Sequence, residues 1–201
     1  MSQASELTSE DRAAQTRAAL LEPERSSPPW VMSSLNALTQ DRPPRIPDRF
    51  APTKDQRRAV QEMCSRLAGH LAPASAEEIG TAFAMLRVQF PARDVEEGQA
   101  RAVAKGFLVA MEGVPAFALD EAVRRVLRGK AGLPAGYMPT APQFRQLVDD
   151  LSRPARWHAR RLRFLLEAEV ERDVSPEERE RVAARFRDFL AASATQNEAR
   201  A

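Results

Sequence analysis

The sequence predicts an all-α protein, and three features of its composition and pattern lead to that class. Alanine and arginine are abundant while glycine occurs only 8 times in 201 residues, a balance that favours helices. Alternating runs of β-branched and aromatic residues, which strands need, are nearly absent. From residue 53 onward, apolar residues recur at helical spacing between prolines that divide the chain into segments. We therefore expect a small helical bundle.

Residues 1–52 are predicted to be an N-terminal arm and linker outside the bundle. One short helix is expected over "SEDRAAQTRAALLE", and seven prolines follow it between residues 23 and 52. Because such a polar, proline-rich stretch cannot hold a long helix, we expect residues 23–52 to be extended or largely disordered. Trp30 and Leu35 belong to an apolar island within it. We expect the island to dock on the protein's own surface; the alternative is a short motif that folds on a partner.

Five helices are predicted in a helical domain over residues 53–152, joined by short connections that make neighbouring helices antiparallel. Each carries an apolar stripe on one face. Three of them begin with the spacing of a capping box, at residues 53–56, 75–78 and 140–143.

Residues 153–192 are predicted to form a C-terminal helical hairpin. Pro154 is expected to separate a strong sixth helix, "ARWHARRLRFLLEAEVERDV", from the fifth. Ser175 and Pro176 supply the cap and the first-turn proline of a seventh helix. The last residues, 193–201, are expected to be a flexible tail.

The apolar residues of the sixth helix cover much more than half of its circumference. A helix that is apolar over so wide an arc packs on two sides or meets another chain. The sequence therefore predicts partner binding, or a homodimer, through residues 157–190, with Trp157, Phe164 and Phe189 among the contacts.

Five arginines lie at the start of this sixth helix with no acidic residue among them: Arg153, Arg156, Arg160, Arg161 and Arg163. Cations at a helix N-terminus oppose the macrodipole, so helix stability alone does not explain their placement. One interpretation is a face that binds nucleic acid or another anion, with Trp157 available for stacking. The other is a solvated face that pairs with Glu167 and Glu171. The low net charge of +2 favours the solvated face.

The sequence offers no group of residues suited to catalysis. His70 and His158 are far apart, and Cys64 lies on an apolar stripe, where a lone cysteine is usually a core residue. The segment "RGKAGLPAG" lacks the spacing of a phosphate-binding loop. We therefore expect no enzymatic activity and no cofactor or metal. Neither a signal peptide nor a membrane-spanning run is recognisable, which predicts a cytoplasmic protein without membrane contacts.

The order of features over residues 75–151 resembles the helical domain of phage helicase loaders and inhibitors. The resemblance rests on the successive segments "EEIGTAFAMLRVQFPAR", "AVAKGFLVAMEGVP", "FALDEAVRRVLRGK" and "YMPTAPQFRQLV". The positions that match the family pattern are Phe90-Pro91, Val114-Pro115, Tyr137, Pro139-Thr140 and Phe144.

This resemblance implies a small, non-enzymatic adaptor of phage or prophage DNA replication. Such proteins bind the replicative DNA helicase, restrain its ATPase activity and deliver it to an initiator protein at the origin, so an initiator or DNA is a further expected partner. Two alternatives follow from the residues themselves: a nucleic-acid-binding protein that uses the arginine face, and an oligomeric phage structural or scaffold protein.

Overall fold

The computed structural model describes residues 9–90, 97–133, 137–172, 175, 177–178 and 180–187, and it confirms the all-α class. The helices are α1 (Ser9–Leu21), α2 (Pro23–Ser26), α3 (Pro29–Ala37), α4 (Lys54–His70), α5 (Ala76–Gln89), α6 (Glu97–Ala110), α7 (Ala116–Leu127) and α8 (Ala141–Glu167). A 3₁₀ turn (Asp48–Phe50) and two short strands, β1 (Arg45–Pro47) and β2 (Glu169–Glu171), complete the named elements. Residues 180–187 are also helical.

Helix α8 is one continuous helix of 27 residues, so the prediction that one helix ends near residue 152 and another begins after Pro154 is wrong. Pro154 lies inside the helix, on its exposed side. There the carbonyl of Asp150, which loses its N–H partner, can bind water. Leu151 and Ala155, on either side of the proline, are buried, and this packing holds the helix together through it.

The first hydrophobic core lies between α5, α6, α7 and the N-terminal half of α8. The Phe107 ring of α6 occupies its middle, with its centroid 5.1 Å from that of Phe83 and 5.4 Å from that of Phe144. A short antiparallel contact between Pro73 and Pro115 ties the segment before α5 to the segment before α7. This core therefore joins the helices of residues 75–151 into one unit.

The second core lies between α3, α4, β1 and the C-terminal half of α8. Its buried residues are Val31, Leu35, Ile46, Val60, Leu162, Leu165 and Ala168. Helix α4 thus shares a core with α3 and the end of α8, which differs from the predicted five-helix domain over residues 53–152. The predicted boundary between residues 152 and 153 falls within α8, where both cores meet the same helix.

The prediction that residues 23–52 form an extended or largely disordered linker is corrected by the structure. Pro23 and Pro29 are the first residues of α2 and α3, where a missing N–H group costs nothing. The apolar island docks on the protein's own surface, as expected, because Val31 and Leu35 are buried against α8. Proline-rich sequence is compatible with short helices when apolar residues between the prolines find a core to enter.

Strand β1 pairs in parallel with β2, which directly follows α8. Ile46 of β1 is fully buried, and an ion pair of 3.2 Å joins Arg45 to Glu171. The first helix of the predicted hairpin therefore ends at Glu167, where the chain turns into a strand instead of continuing. In residues 180–187 the side chains of Val182 and Phe186 are exposed. The tail over residues 193–201 lies outside the described residues.

Candidate interaction surface

A groove of about 710 Å³ separates the exposed face of α8 from the connection between α3 and β1. We call it the Trp157 groove; its lining includes Leu38, Arg42, Trp157, Arg160 and Phe164. The connection is fastened at its base, where the backbone N–H of Thr39 donates to the carbonyl of Arg45 over 2.9 Å. One wall of the groove is thus a long helix packed on two cores, and the other is a short, tied loop.

Trp157 is the largest apolar side chain on this face, and 51% of its surface is exposed. Two turns further along α8, Phe164 is half-buried in the same groove. The Arg160 guanidinium lies over the Phe164 ring, 5.2 Å from its centroid, which is a cation–π contact. The groove therefore combines two aromatic surfaces with a positive charge held at a fixed position.

Arg161 faces the N-terminal segment instead of solvent. Its guanidinium donates to the carbonyl oxygen of Leu35 over 2.8 Å, and to the side chains of Asn36 and Glu24 over 3.4 Å and 3.2 Å. The carbonyl groups in the last turn of a helix lack N–H partners, and Arg161 supplies one for α3. This arginine, predicted as an anion-binding residue, instead fastens α2 and α3 to α8.

Two further arginines of the predicted face lie near aspartates earlier in α8, with Asp150 one turn before Arg153 and Asp149 two turns before Arg156. Arg153 forms an ion pair with Asp150, and Arg156 approaches Asp149 at 3.5 Å. The solvated interpretation named Glu167 and Glu171 as partners, but Glu171 pairs with Arg45 of β1. Because α8 begins at Ala141, these arginines do not lie at a helix N-terminus, and the argument from the macrodipole no longer applies.

Among the described residues, Arg160 and Arg163 are the members of the arginine face without a carboxylate partner. Arg163 lies close enough to Cys64 for its charge to lower the pKa of that thiol, but burial has the larger effect and raises the pKa. Cys64 packs at the edge of the second core, which confirms its interpretation as a core residue. The arginine face thus keeps two free cations, one of which belongs to the Trp157 groove.

The remaining predicted contact residues are placed differently. Leu35 is only 2% exposed and Trp30 is half-buried against the second core, so Leu35 cannot contact a partner while α3 is docked. Phe189 lies outside the described residues. The contact residues that the structure brings together are therefore Trp157 and Phe164, with Arg160 between them.

His70 and His158, which the sequence keeps far apart, line one cavity of about 230 Å³ between α1, α2, α4 and α8. His158 is 1% exposed, and its Nε2 lies 2.9 Å from Oγ of Ser27. The sequence does not predict the contact between His158 and Ser27, because 131 residues separate the two and no local spacing relates them. A buried position for His158 could have been inferred only from a helix that runs unbroken through Pro154, since Leu151, Ala155, His158 and Leu162 then share one face.

The protein is thus all-α, and its Trp157 groove combines aromatic and cationic side chains with the acidic residues Asp41 and Glu167. The chain matches no protein-family model, and no curated protein or solved structure is significantly similar to it. In the described part of the chain, no three His, Cys, Asp or Glu side chains come together as a group that could hold a metal ion. No helix among the described residues has both the length and the apolar character needed to cross a bilayer.

Proposed function

We propose that this protein is a non-enzymatic adaptor of phage or prophage DNA replication that binds the replicative DNA helicase through the Trp157 groove, to load or to inhibit it. The observation that carries the proposal is the half-exposed Trp157 beside Arg160 and Phe164. Tryptophan and arginine are enriched among the few residues that supply most of the binding energy at protein interfaces. An exposed aromatic ring on a rigid helix loses little conformational entropy when a partner covers it.

The choice of the helicase as partner rests on the family resemblance over residues 75–151. The first core supports treating that resemblance as one of a folded unit, because its helices are those that the resemblance covers. The groove lies on the continuation of α8 beyond this unit. A partner bound at Trp157 would therefore contact an element that is rigidly joined to the resembling domain.

The pairing of the arginines favours a protein partner over nucleic acid. Proteins that bind single strands or duplexes combine a positively charged groove with several phosphate contacts. Here Arg153, Arg156 and Arg161 are already paired with carboxylates of the same chain. The oligomeric scaffold remains a second candidate because Val182 and Phe186, one turn apart on a helix, are 62% and 61% exposed.

Replacing Trp157 with alanine is expected to weaken helicase binding at least tenfold, which corresponds to about 1.4 kcal/mol or more. The side chain is half-exposed, so we expect the melting temperature to stay close to that of the parent. The measurement is a titration of the purified protein against the replicative helicase of its host, read by calorimetry and by the ATPase rate. Val88→Ala is the control, since Val88 is an apolar residue that is 83% exposed and lies outside the groove.

Three other outcomes have distinct meanings. If the parent forms no complex at low micromolar concentrations, the helicase proposal is overturned. If it forms a complex that Trp157→Ala leaves unchanged, the helicase binds elsewhere and the groove is not its site. If the parent instead binds DNA with a strong salt dependence that Arg160→Glu and Arg163→Glu abolish, the nucleic-acid alternative is correct.

A further inference from the structure

The contact between His158 and Ser27 determines which ring nitrogen carries the proton. Ser27 lies directly after α2, and its Oγ is 2.8 Å from the carbonyl oxygen of Pro23 and 2.9 Å from Nε2 of His158. A carbonyl can only accept, so the single hydroxyl hydrogen of Ser27 is donated to Pro23. Nε2 of His158 must then donate to Oγ. We therefore assign His158 as the neutral tautomer protonated at Nε2.

The other ring nitrogen, Nδ1, is buried and has no hydrogen-bond partner. In the assigned tautomer it is a bare acceptor, which is less costly to bury than a donor that carries charge. A second proton would have to bind at Nδ1, and it would create a buried cation with an unpaired N–H group. The site is built for a neutral imidazole.

We infer that the hydrogen bond from His158 to Ser27 is a pH-sensitive attachment of the N-terminal segment, residues 9–37, to α8, which weakens when the imidazole is protonated. Two polar contacts join α2 to α8: the hydrogen bond from His158 to Ser27, and the ion pair from Arg161 to Glu24. Helix α1 is held separately, because Arg17 pairs with Asp120 and Glu121 of α7. Arg161 extends the attachment to α3 through the carbonyl of Leu35. A positive charge on His158 would destabilise the docked segment, because the imidazole is buried and its Nδ1 has no partner.

The charged groups around the ring do not provide a compensating partner. From α2, Glu24 attracts a positive imidazole, but this carboxylate is already paired with Arg161 of α8. From α4, Arg66 and His70 line the same cavity, and neither offers a negative charge to the imidazolium. The side of the cavity formed by α1 contributes Thr16, Ala19 and Leu20, none of which carries a charge.

The sign of the pH effect follows from the pKa of His158, which burial lowers below the ordinary value; Arg161 lowers it further, while Glu24 opposes both. His158 binds its second proton more readily when the N-terminal segment is undocked from α8 than when it is docked. Docking is therefore fully stable above the ordinary histidine pKa near 6.5 and weakens as the pH falls below it. In the interval between the two pKa values, the docking equilibrium changes about tenfold per pH unit.

The test is hydrogen exchange of the full-length chain at pH 7.5 and pH 5.5, corrected for intrinsic exchange rates. The parent is expected to lose protection over residues 9–37 between these values, by up to about tenfold. His158→Gln, whose amide can still donate to Ser27, is expected to lose this pH dependence. His70→Gln is the matched control, because it removes the other histidine of the chain and leaves the hydrogen bond from His158 to Ser27 in place.

Two results would overturn the inference: an unchanged pH dependence in His158→Gln, or a parent whose protection over residues 9–37 is the same at both pH values. If His158→Gln does not fold, a nitrogen-detected NMR titration of the parent decides instead. It should find His158 protonated at Nε2 and titrating below the ordinary histidine pKa near 6.5. A bare Nε2, or a His158 that titrates at or above the ordinary value, would contradict the inference. Ser27→Ala, which removes the acceptor, should raise exchange in residues 9–37 already at pH 7.5.

Discussion

Replacing Phe107 with alanine is expected to lower the free energy of unfolding by about 3–5 kcal/mol. Phe107 is 2% exposed, and it is the one fully buried residue among the described side chains of α6. Its ring contacts Phe83 of α5 and Phe144 of α8, so its removal leaves a cavity between three helices. Chemical denaturation followed by circular dichroism measures the loss.

The matched control for this substitution is Val109→Ala, two residues further along the same helix. Val109 is 64% exposed, so its truncation should change the free energy of unfolding by no more than about 0.5 kcal/mol. Similar losses in both variants would mean that α6 does not enter the first core through Phe107. A loss in Phe107→Ala confined to α6, with the other helices unaffected, would mean that α6 unfolds as a separate unit.

The helix starts could be predicted from the sequence because their interactions are local. The backbone N–H of Thr53 donates to Gln56 over 2.9 Å, that of Ser75 to Glu78 over 2.7 Å, and that of Thr140 to Gln143 over 3.0 Å. Each bond spans three residues, so the residue types at that spacing nearly determine the result.

The N-terminal segment could not be predicted because distant residues decide its structure. Ile46 is buried only because its strand pairs with β2, at the far end of α8. Arg161 donates to the carbonyl of Leu35 in the last turn of α3. The sequence pattern instead places this arginine in a cluster on one helix face. Composition describes residues 23–52 as polar and rich in proline, but it does not show that their few apolar residues pack against an apolar face of α8.

The candidate site was partly visible in the sequence. Trp157, Phe164 and Arg160 attract attention as aromatic and cationic residues on one helix, and the structure brings them together at one groove. The aspartate neighbours of Arg153 and Arg156 could not be predicted, because they depend on α8 being continuous. Once the helix extends back to Ala141, Asp150 lies one turn before Arg153 and pairs with it. Asp149 lies two turns before Arg156 and approaches it at 3.5 Å, while pairing more closely with Arg145 at 2.9 Å.

The continuity of α8 also matters for the proposed function. The N-terminal half of the helix is buried in the first core, and the C-terminal half, in the second core, carries the Trp157 groove. A partner that binds the groove therefore contacts the same rigid element that the resembling domain is built on. The other wall of the groove is the connection between α3 and β1, which is held at one end by the contact of Arg161 with α3 and at the other by the pairing of β1 with β2.

Replacing Pro154 with alanine is the sharpest test of this continuity, and it is expected to stabilise the protein by about 2 kcal/mol. Alanine restores the N–H donor to the carbonyl of Asp150 and removes the clash of the proline ring, together worth about 3 kcal/mol in a helix interior. The greater freedom of the unfolded chain offsets up to about 1 kcal/mol of this gain. Because Pro154 is exposed, its truncation leaves no cavity.

Pro142 provides the matched control, because it is an exposed proline in the first turn of the same helix. Its missing N–H would have no partner there, so Pro142→Ala should leave the stability unchanged or lower it by up to about 1 kcal/mol. Thermal unfolding should then rise by about 4–8 °C in Pro154→Ala and not in Pro142→Ala. If instead the two variants behave alike, Pro154 begins a helix of its own, α8 is two helices, and the groove is not rigidly joined to the first core.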